Sequence, residues 1–237
     1  MTRSGNTGDL GSLTWVDLDG DRRLLVVPVG SCEQHGPHLP LDTDTLIAQA
    51  FAADLAAARD DTLVAPALSI GASGEHRGFP GTLSIGTAAM TSTLVELARS
   101  ALPEPGSGNP GAFSAVLFVN AHGGNLEALE DARSTLAAES RRADFWHPRV
   151  DGGDPHAGAT ETSLMLHLHP ERVRMELAEP GSTARFSDIR DELTAGGLAA
   201  VTPNGVLGDP TTASADAGAR LFGTLRVTLS EAAERLL

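Results

Sequence analysis

The chain has 237 residues and carries 31 acidic against 17 basic side chains, every base an arginine, for a formal charge of −14 at neutral pH. So acidic a chain offers no basic footprint to nucleic acid or to an anionic membrane surface, while 41% apolar residues supply ample material for a core. The single cysteine, Cys32, excludes an internal disulfide framework and a multi-cysteine zinc site. No apolar run reaches the roughly 18 residues of a membrane span, and the polar N-terminus has no secretory core, so a cytoplasmic protein is expected.

Residues 1–20 read as a loose lead-in. Leu24-Leu25-Val26-Val27-Pro28-Val29 is a continuous apolar run, the pattern of a strand buried on both faces. A loop rich in Gly, Pro and His follows to residue 41. Helical spacing predicts a helix over 44–58, and a second strand is expected at 63–67. A long loop with five glycines spans 69–86. A helix is predicted over 88–102, a Pro/Gly/Ser linker over 103–111, a third strand at 113–119 and a helix over 126–141. A further strand is expected at 146–150, a helix at 160–168 stopped by Pro170, and a last helix at 214–236. The tract 171–210 carries no periodicity that decides its structure. Strands alternating with helices, without repeats, predict a single α/β domain over 1–237: a three-layer α/β/α sandwich with a mainly parallel central sheet.

In open α/β sheets, sites lie beyond the carboxyl ends of the strands. Here each strand is followed by chemistry: Glu33-Gln34-His35 and Asp44 after the first, Glu75-His76 after the second, Asn120-Ala121-His122-Gly123-Gly124-Asn125 after the third. His156 and Glu161 precede the late helix. Glu33 and His35, two apart in extended backbone, project to the same side and can converge on one ion. Each has an ordinary reading beside this one. Asp44 alone reads as a helix cap, Glu161 as part of a capping box, and His122 as an incidental turn residue. His167, His169 and His147 read as structural. His38 stays open, and His76 is expected to line the pocket.

Three carboxylates (Glu33, Asp44, Glu161) and two imidazoles (His35, His122) together form a mixed oxygen and nitrogen donor set. It suits zinc, manganese or iron(II). Two divalent cations against three carboxylates and a hydroxide give a neutral set, as a partly buried site requires. Such a site serves amide hydrolysis. No phosphate-binding glycine loop, dinucleotide fingerprint or serine-nucleophile elbow competes. Cys32, beside Glu33, is discounted as a nucleophile because a neighbouring carboxylate raises a thiol pKa.

Several stretches resemble the creatininase (creatinine amidohydrolase) family: 27–44 (Val-Pro-Val-Gly-Ser-Cys-Glu-Gln-His-Gly-Pro-His-Leu-Pro-Leu-Asp-Thr-Asp), 71–86 with Phe79-Pro80-Gly81-Thr82-Leu83, 119–125, and 156–163. They occur in family order. The resemblance implies an α/β/α sandwich, two divalent ions per subunit and a homo-oligomer, often a hexamer. By position it implies Glu33 and His122 on one ion, His35 and Glu161 on the other, and Asp44 bridging. His156 and Glu161 would be catalytic, His156 as base or proton shuttle; His76 and Asn120 are expected to contact substrate. Creatinine hydrolases carry a metal-binding Glu two residues after the His matching His122; here that position is Gly124, with Glu161 as substitute. Residues 69–82, 152–158 and 205–213 resemble more narrowly the mycofactocin-system branch. That likeness implies a peptidase releasing the modified C-terminal Val-Tyr unit of a ribosomal precursor peptide. The alternatives are a small-molecule amidohydrolase, acting on creatinine or a formamide in flavin-type cofactor biosynthesis, and a metal-binding scaffold without turnover.

Overall fold

The computed structural model describes residues 8–18, 23–104, 106–108 and 111–237. Its centre is a four-stranded sheet, parallel throughout: β1 (Arg23–Val29), β2 (Thr62–Val64), β3 (Phe113–Asn120) and β4 (Ala143–Trp146), in the order β2-β1-β3-β4. Alternation along the inner strands feeds two cores. Leu25, Val27, Val29, Val116 and Phe118 pack against α2 (Thr87–Ala101) and α3 (Leu126–Ala138). Leu24, Val26, Leu117 and Val119 face the other way, against α1 (Thr43–Ala57), α4 (Ala159–Leu168) and α7 (Ala215–Leu236). Burial on both faces is why these strands read as unbroken apolar runs. The three-layer α/β/α sandwich is therefore the observed fold.

The chain leaves β1 through α1 to β2 on one side, then returns past β1 to β3 and through α3 to β4 on the other. The gap between the ends of β1 and β3 is thus the switch point of the sheet, where a crevice opens. Glu33 and His35 follow β1, and His122 follows β3.

Two expectations are corrected. The fourth strand lies at Ala143–Trp146 rather than 146–150, because Pro148 has no N–H to continue the ladder. The lead-in is not wholly loose: 3-10 turns at Leu10–Ser12 and Trp15–Leu18 place Leu10, Leu13 and Leu18 against the core, and Asp9 bridges Val64. Residues 1–7 and 19–20 of that segment, and 105 and 109–110 of the 103–111 linker, lie outside the described residues. The undecided tract 171–210 holds α5 (Phe186–Gly196) and α6 (Leu198–Val201). These helices enclose a small separate core of Ile189, Leu198 and Leu207, with Phe79 packed on it.

One close approach positions the site. A Cβ at Gly30 would lie 2.4 Å from the Thr45 Cα. Only glycine lets the end of β1 touch the first turn of α1 and set Asp44 beside Ser31, whose hydroxyl donates to Asp44 Oδ2 at 2.7 Å. Gly30→Ala should therefore force α1 outward. The expected cost is about 1–3 kcal/mol in urea unfolding, together with weaker metal binding; a variant with unchanged stability and metal content would contradict this role.

Candidate metal centre and its cavity

Asp44 is the hub. Its Oδ1 lies 3.2 Å from His35 Nε2 and its Oδ2 lies 3.2 Å from His122 Nδ1, so one oxygen faces each ring. Glu33 Oε2 stands 3.2 Å from His122 Nε2, and its Oε1 stands 3.3 Å from His76 Nε2. Glu161 Oε2 lies 3.9 Å from His35 Nε2, and His156 Nδ1 lies 3.9 Å from Glu33 Oε1. Two donors on one tetrahedral zinc, each about 2.0–2.1 Å from the ion, are about 3.3 Å apart; the four shorter spacings match that edge. Donor atoms within 4.8 Å of one another form three overlapping groups among the described residues: Glu33-His76-His156, His35-His156-Glu161 and Glu33-His35-Asp44. Five side chains from distant segments therefore meet, and His76 and His156 join them.

Glu33 is fully buried, yet neither carboxylate oxygen has a hydrogen-bond partner. Burial would raise its pKa, but the His122 ring outweighs this and holds it below the usual range. Burial is overcome in the same way at Asp44, which His35 and His122 hold well below the ordinary value. The rings respond in kind. Burial disfavours a charged His35, yet Asp44 lifts it to about 10; Glu33 and Asp44 likewise lift His122 well above its ordinary value. Glu161 is pushed up to about 7 by burial. The carboxylates thus favour protonated imidazoles at His35 and His122. His76 (to about 3) and His156 (well below its ordinary value) go the other way, because burial dominates and the neighbouring rings repel a further charge.

Supporting groups fix these side chains. His35 Nδ1 lies 3.1 Å from the Glu33 carbonyl, which can only accept, so Nδ1 carries the proton and Nε2 is left for a ligand. Glu161 Oε2 accepts from Ala157 N–H at 2.6 Å, one residue before the helix N-cap Gly158, so the bond is not the capping box the sequence suggested. Ala157 itself has φ +53°, a left-handed conformation uncommon for a residue with a side chain, and it adjoins His156.

The expected substrate contact Asn120 is not on the cavity wall. It is fully buried; its Nδ2 donates to the His122 carbonyl at 2.7 Å, and its Oδ1 accepts from Asn125. The residue shapes the turn that presents His122. His147, read as structural, lies 3.1 Å from Asn120 Nδ2. His38 is buried with Nε2 2.8 Å from Thr162 Oγ1 and faces away from the cavity wall. Sequence reasoning passed over Asn125, which ties the Gly30 carbonyl at the β1 end to the Ala72 N–H of the glycine loop. It placed Glu75 at the same sheet edge but gave it no role; Glu75 Oε1 lies 3.8 Å from both His76 Nε2 and His122 Nε2. Its place beside His76 was the available signal.

The cluster opens into a cavity of ≈ 850 Å³. Asp44, Glu75, His122, His156 and Glu161 form its polar wall; Leu126, Leu193, Leu198 and Leu207 contribute an apolar one.

The family model for Creatininase, described as creatinine amidohydrolase, matches residues 11–233, so the chain belongs to the creatininase family. It is 48% identical over 227 residues to the mycofactocin precursor peptide peptidase of Mycobacterium tuberculosis (strain CDC 1551 / Oshkosh), covering 92% of this chain and 87% of that one. To the protein of the same name from Mycolicibacterium smegmatis (strain ATCC 700084 / mc(2)155) it is 47% identical over 221 residues, covering 91% and 86%. A creatininase mutant solved in a Zn-Zn form shares the fold, with a TM-score of 0.74 at 24% identity over 96% of this chain and 97% of that one.

Because the buried carboxylates raise the proton affinity of His35 and His122, metal must compete with protons at these rings, so loading should release protons and apparent affinity should rise with pH. Calorimetry in buffers of different ionisation enthalpy reads the first, and chelator competition between about pH 6 and 8 the second. Loading that is independent of pH would contradict the assignment of these two rings.

Proposed function

We propose that this chain, as one domain over residues 1–237, is a metal-dependent peptidase. It would hydrolyse an amide bond in a modified ribosomal precursor peptide and release the Val-Tyr-derived unit at its C-terminus. The observation that carries the metal dependence is the Glu33 carboxylate, buried with neither oxygen hydrogen-bonded where Asp44, His122 and His76 converge. An isolated buried carboxylate is costly without a compensating cation, and a mixed carboxylate and imidazole set suits zinc, iron(II) or manganese. Glu33 and His122 would hold one ion, His35 and Glu161 a second, with Asp44 presenting one oxygen to each. When bound, a pair of divalent ions would polarise the scissile carbonyl and acidify water.

The chain's own groups supply the rest. His156, buried and kept neutral by burial, can take a proton from attacking water and return it to the departing amine. His76 lines the cavity and is placed to contact substrate. Two further observations support a peptide as substrate. The relatives at 48% and 47% identity carry that activity in their names. The cavity, at ≈ 850 Å³, lies in the upper part of the range of about 300–1,000 Å³ that holds drug-sized ligands, ample for a dipeptide unit, and its apolar wall suits an aromatic ring. A homo-oligomer is part of the same proposal. Leu41, Ile70, Leu83 and Ile85 are exposed on adjoining loops, as a subunit contact requires. No helix among the described residues is long and apolar enough to cross a membrane, in keeping with a cytoplasmic setting.

Incubating the metal-loaded protein with modified precursor peptide, creatinine and a formamide should give product from the peptide alone, followed by mass spectrometry; turnover of creatinine alone would overturn the proposal. His122→Ala and Glu161→Gln should abolish turnover and cut bound metal. His156→Ala should cut turnover by about 10²–10⁴-fold and retain its metal. Equal metal loss in all three would contradict the division of roles.

A further inference from the structure

Gln34 lies between Glu33 and His35 in the sequence, and its side chain reaches three other segments. Gln34 Oε1 accepts from Gly36 N–H at 2.9 Å, which settles which end of the amide is oxygen. Its Nε2 then carries two hydrogens, with three atoms in reach: Gly205 O at 2.9 Å, His76 Nδ1 at 3.0 Å and His156 Nε2 at 3.1 Å. His156 Nε2 also lies 2.9 Å from the Gln34 backbone carbonyl. A carbonyl only accepts, so His156 Nε2 bears a hydrogen and cannot receive one from the amide. The two amide hydrogens therefore go to Gly205 O and His76 Nδ1.

Both ring tautomers follow. His156 holds its hydrogen on Nε2 and turns the lone pair of Nδ1 toward Glu33 Oε1, 3.9 Å away. His76 accepts at Nδ1 and so carries its hydrogen on Nε2, which lies 3.3 Å from Glu33 Oε1 without forming a hydrogen bond to it. The clamp allows little play. A Cβ at Gly205, where φ is +76°, would lie 1.9 Å from Gln34 Oε1, and Gly36, at φ +66°, provides the N–H that orients the amide.

We infer that Gln34 is a positioning residue: its side-chain amide donates to His76 Nδ1 while its main-chain carbonyl accepts from His156 Nε2–H, so one residue sets which nitrogen of each ring faces the centre, leaving His156 an accepting Nδ1 and His76 a protonated Nε2. The inference deepens the reading of His156 as proton carrier and rests on it for its kinetic consequence only.

The test is magic-angle-spinning NMR of ¹⁵N-histidine-labelled protein, metal-free and zinc-loaded, with ring signals assigned by His76→Gln and His156→Gln. Both rings should be protonated at Nε2 alone in both states. Gln34→Glu replaces the donor by an acceptor. It should move the His76 hydrogen to Nδ1, lower kcat about 10–100-fold, change KM by less than about threefold and leave zinc content unchanged. A wild-type His156 protonated at Nδ1 overturns the inference, as does a folded Gln34→Glu protein with the wild-type ring pattern or kcat. Should Gln34→Glu fail to fold, the wild-type ring pattern decides alone. If that pattern holds while the protein cleaves no precursor peptide, the proposed substrate fails and the tautomer assignment stands.

Discussion

The structure depends on carboxylates buried at the dry end of a parallel sheet. Glu33 and Asp44 are out of water, and Glu161 is close behind. A negative charge in such a place persists only against positive charge and donated hydrogen bonds. Asp44 receives one hydrogen bond from Ser31 and otherwise faces imidazole; Glu33 receives none. The rings of His35 and His122 must then carry protons or give way to cations. A site built for structural pairing would have satisfied Glu33 with backbone N–H groups, as the chain does for Glu161 through Ala157. Two Glu33 oxygens that face imidazole nitrogens at 3.2 and 3.3 Å without a hydrogen bond to either are intelligible as a seat for an ion.

The sheet topology explains how residues more than a hundred positions apart reach one point. Loops after β1 and β3 meet because those strands are neighbours at the switch point. Asn125 joins the ends of both strands and the glycine loop through one amide. Gly30 lets α1 approach closely enough to deliver Asp44. The His156 segment arrives from the other side, held by an antiparallel bridge to Leu207. Rigidity comes from the two cores on either face of the sheet, so the polar cluster rests on packed strands and not on loop structure alone.

Legibility in the sequence followed physical period. The buried strands and long helices show as apolar runs and helical spacing, and their positions agree with the structure within a few residues. Glu33, His35, Asp44, His122 and Glu161 were legible because each follows a strand or opens a helix at the same edge. Asn120 misled for the same reason: position at the edge does not reveal that its amide is spent on the His122 turn. The tract holding α5 and α6 gave no reading because its helices bury only a small core. Gln34 and Asn125 were hidden because their importance lies in partners from other segments.

Gly124 ties these points together. A Cβ there would lie 2.4 Å from His122 Nε2 and 2.6 Å from Glu75 Oε1. A side chain at 124 and Glu75 in its present place therefore exclude each other. Where creatinine hydrolases carry a glutamate two residues after this histidine, this chain has Gly124, and Glu75 from a different loop occupies the adjoining space. That loop is not independent of the substrate wall: a Cβ at Gly197, between α5 and α6, would meet the Glu75 carbonyl at 2.8 Å. The segment that shapes the apolar side of the cavity thus packs directly on the segment that brings Glu75 and His76 to the cluster. The cavity wall and the cluster are thus mechanically joined through Glu75 and Gly197.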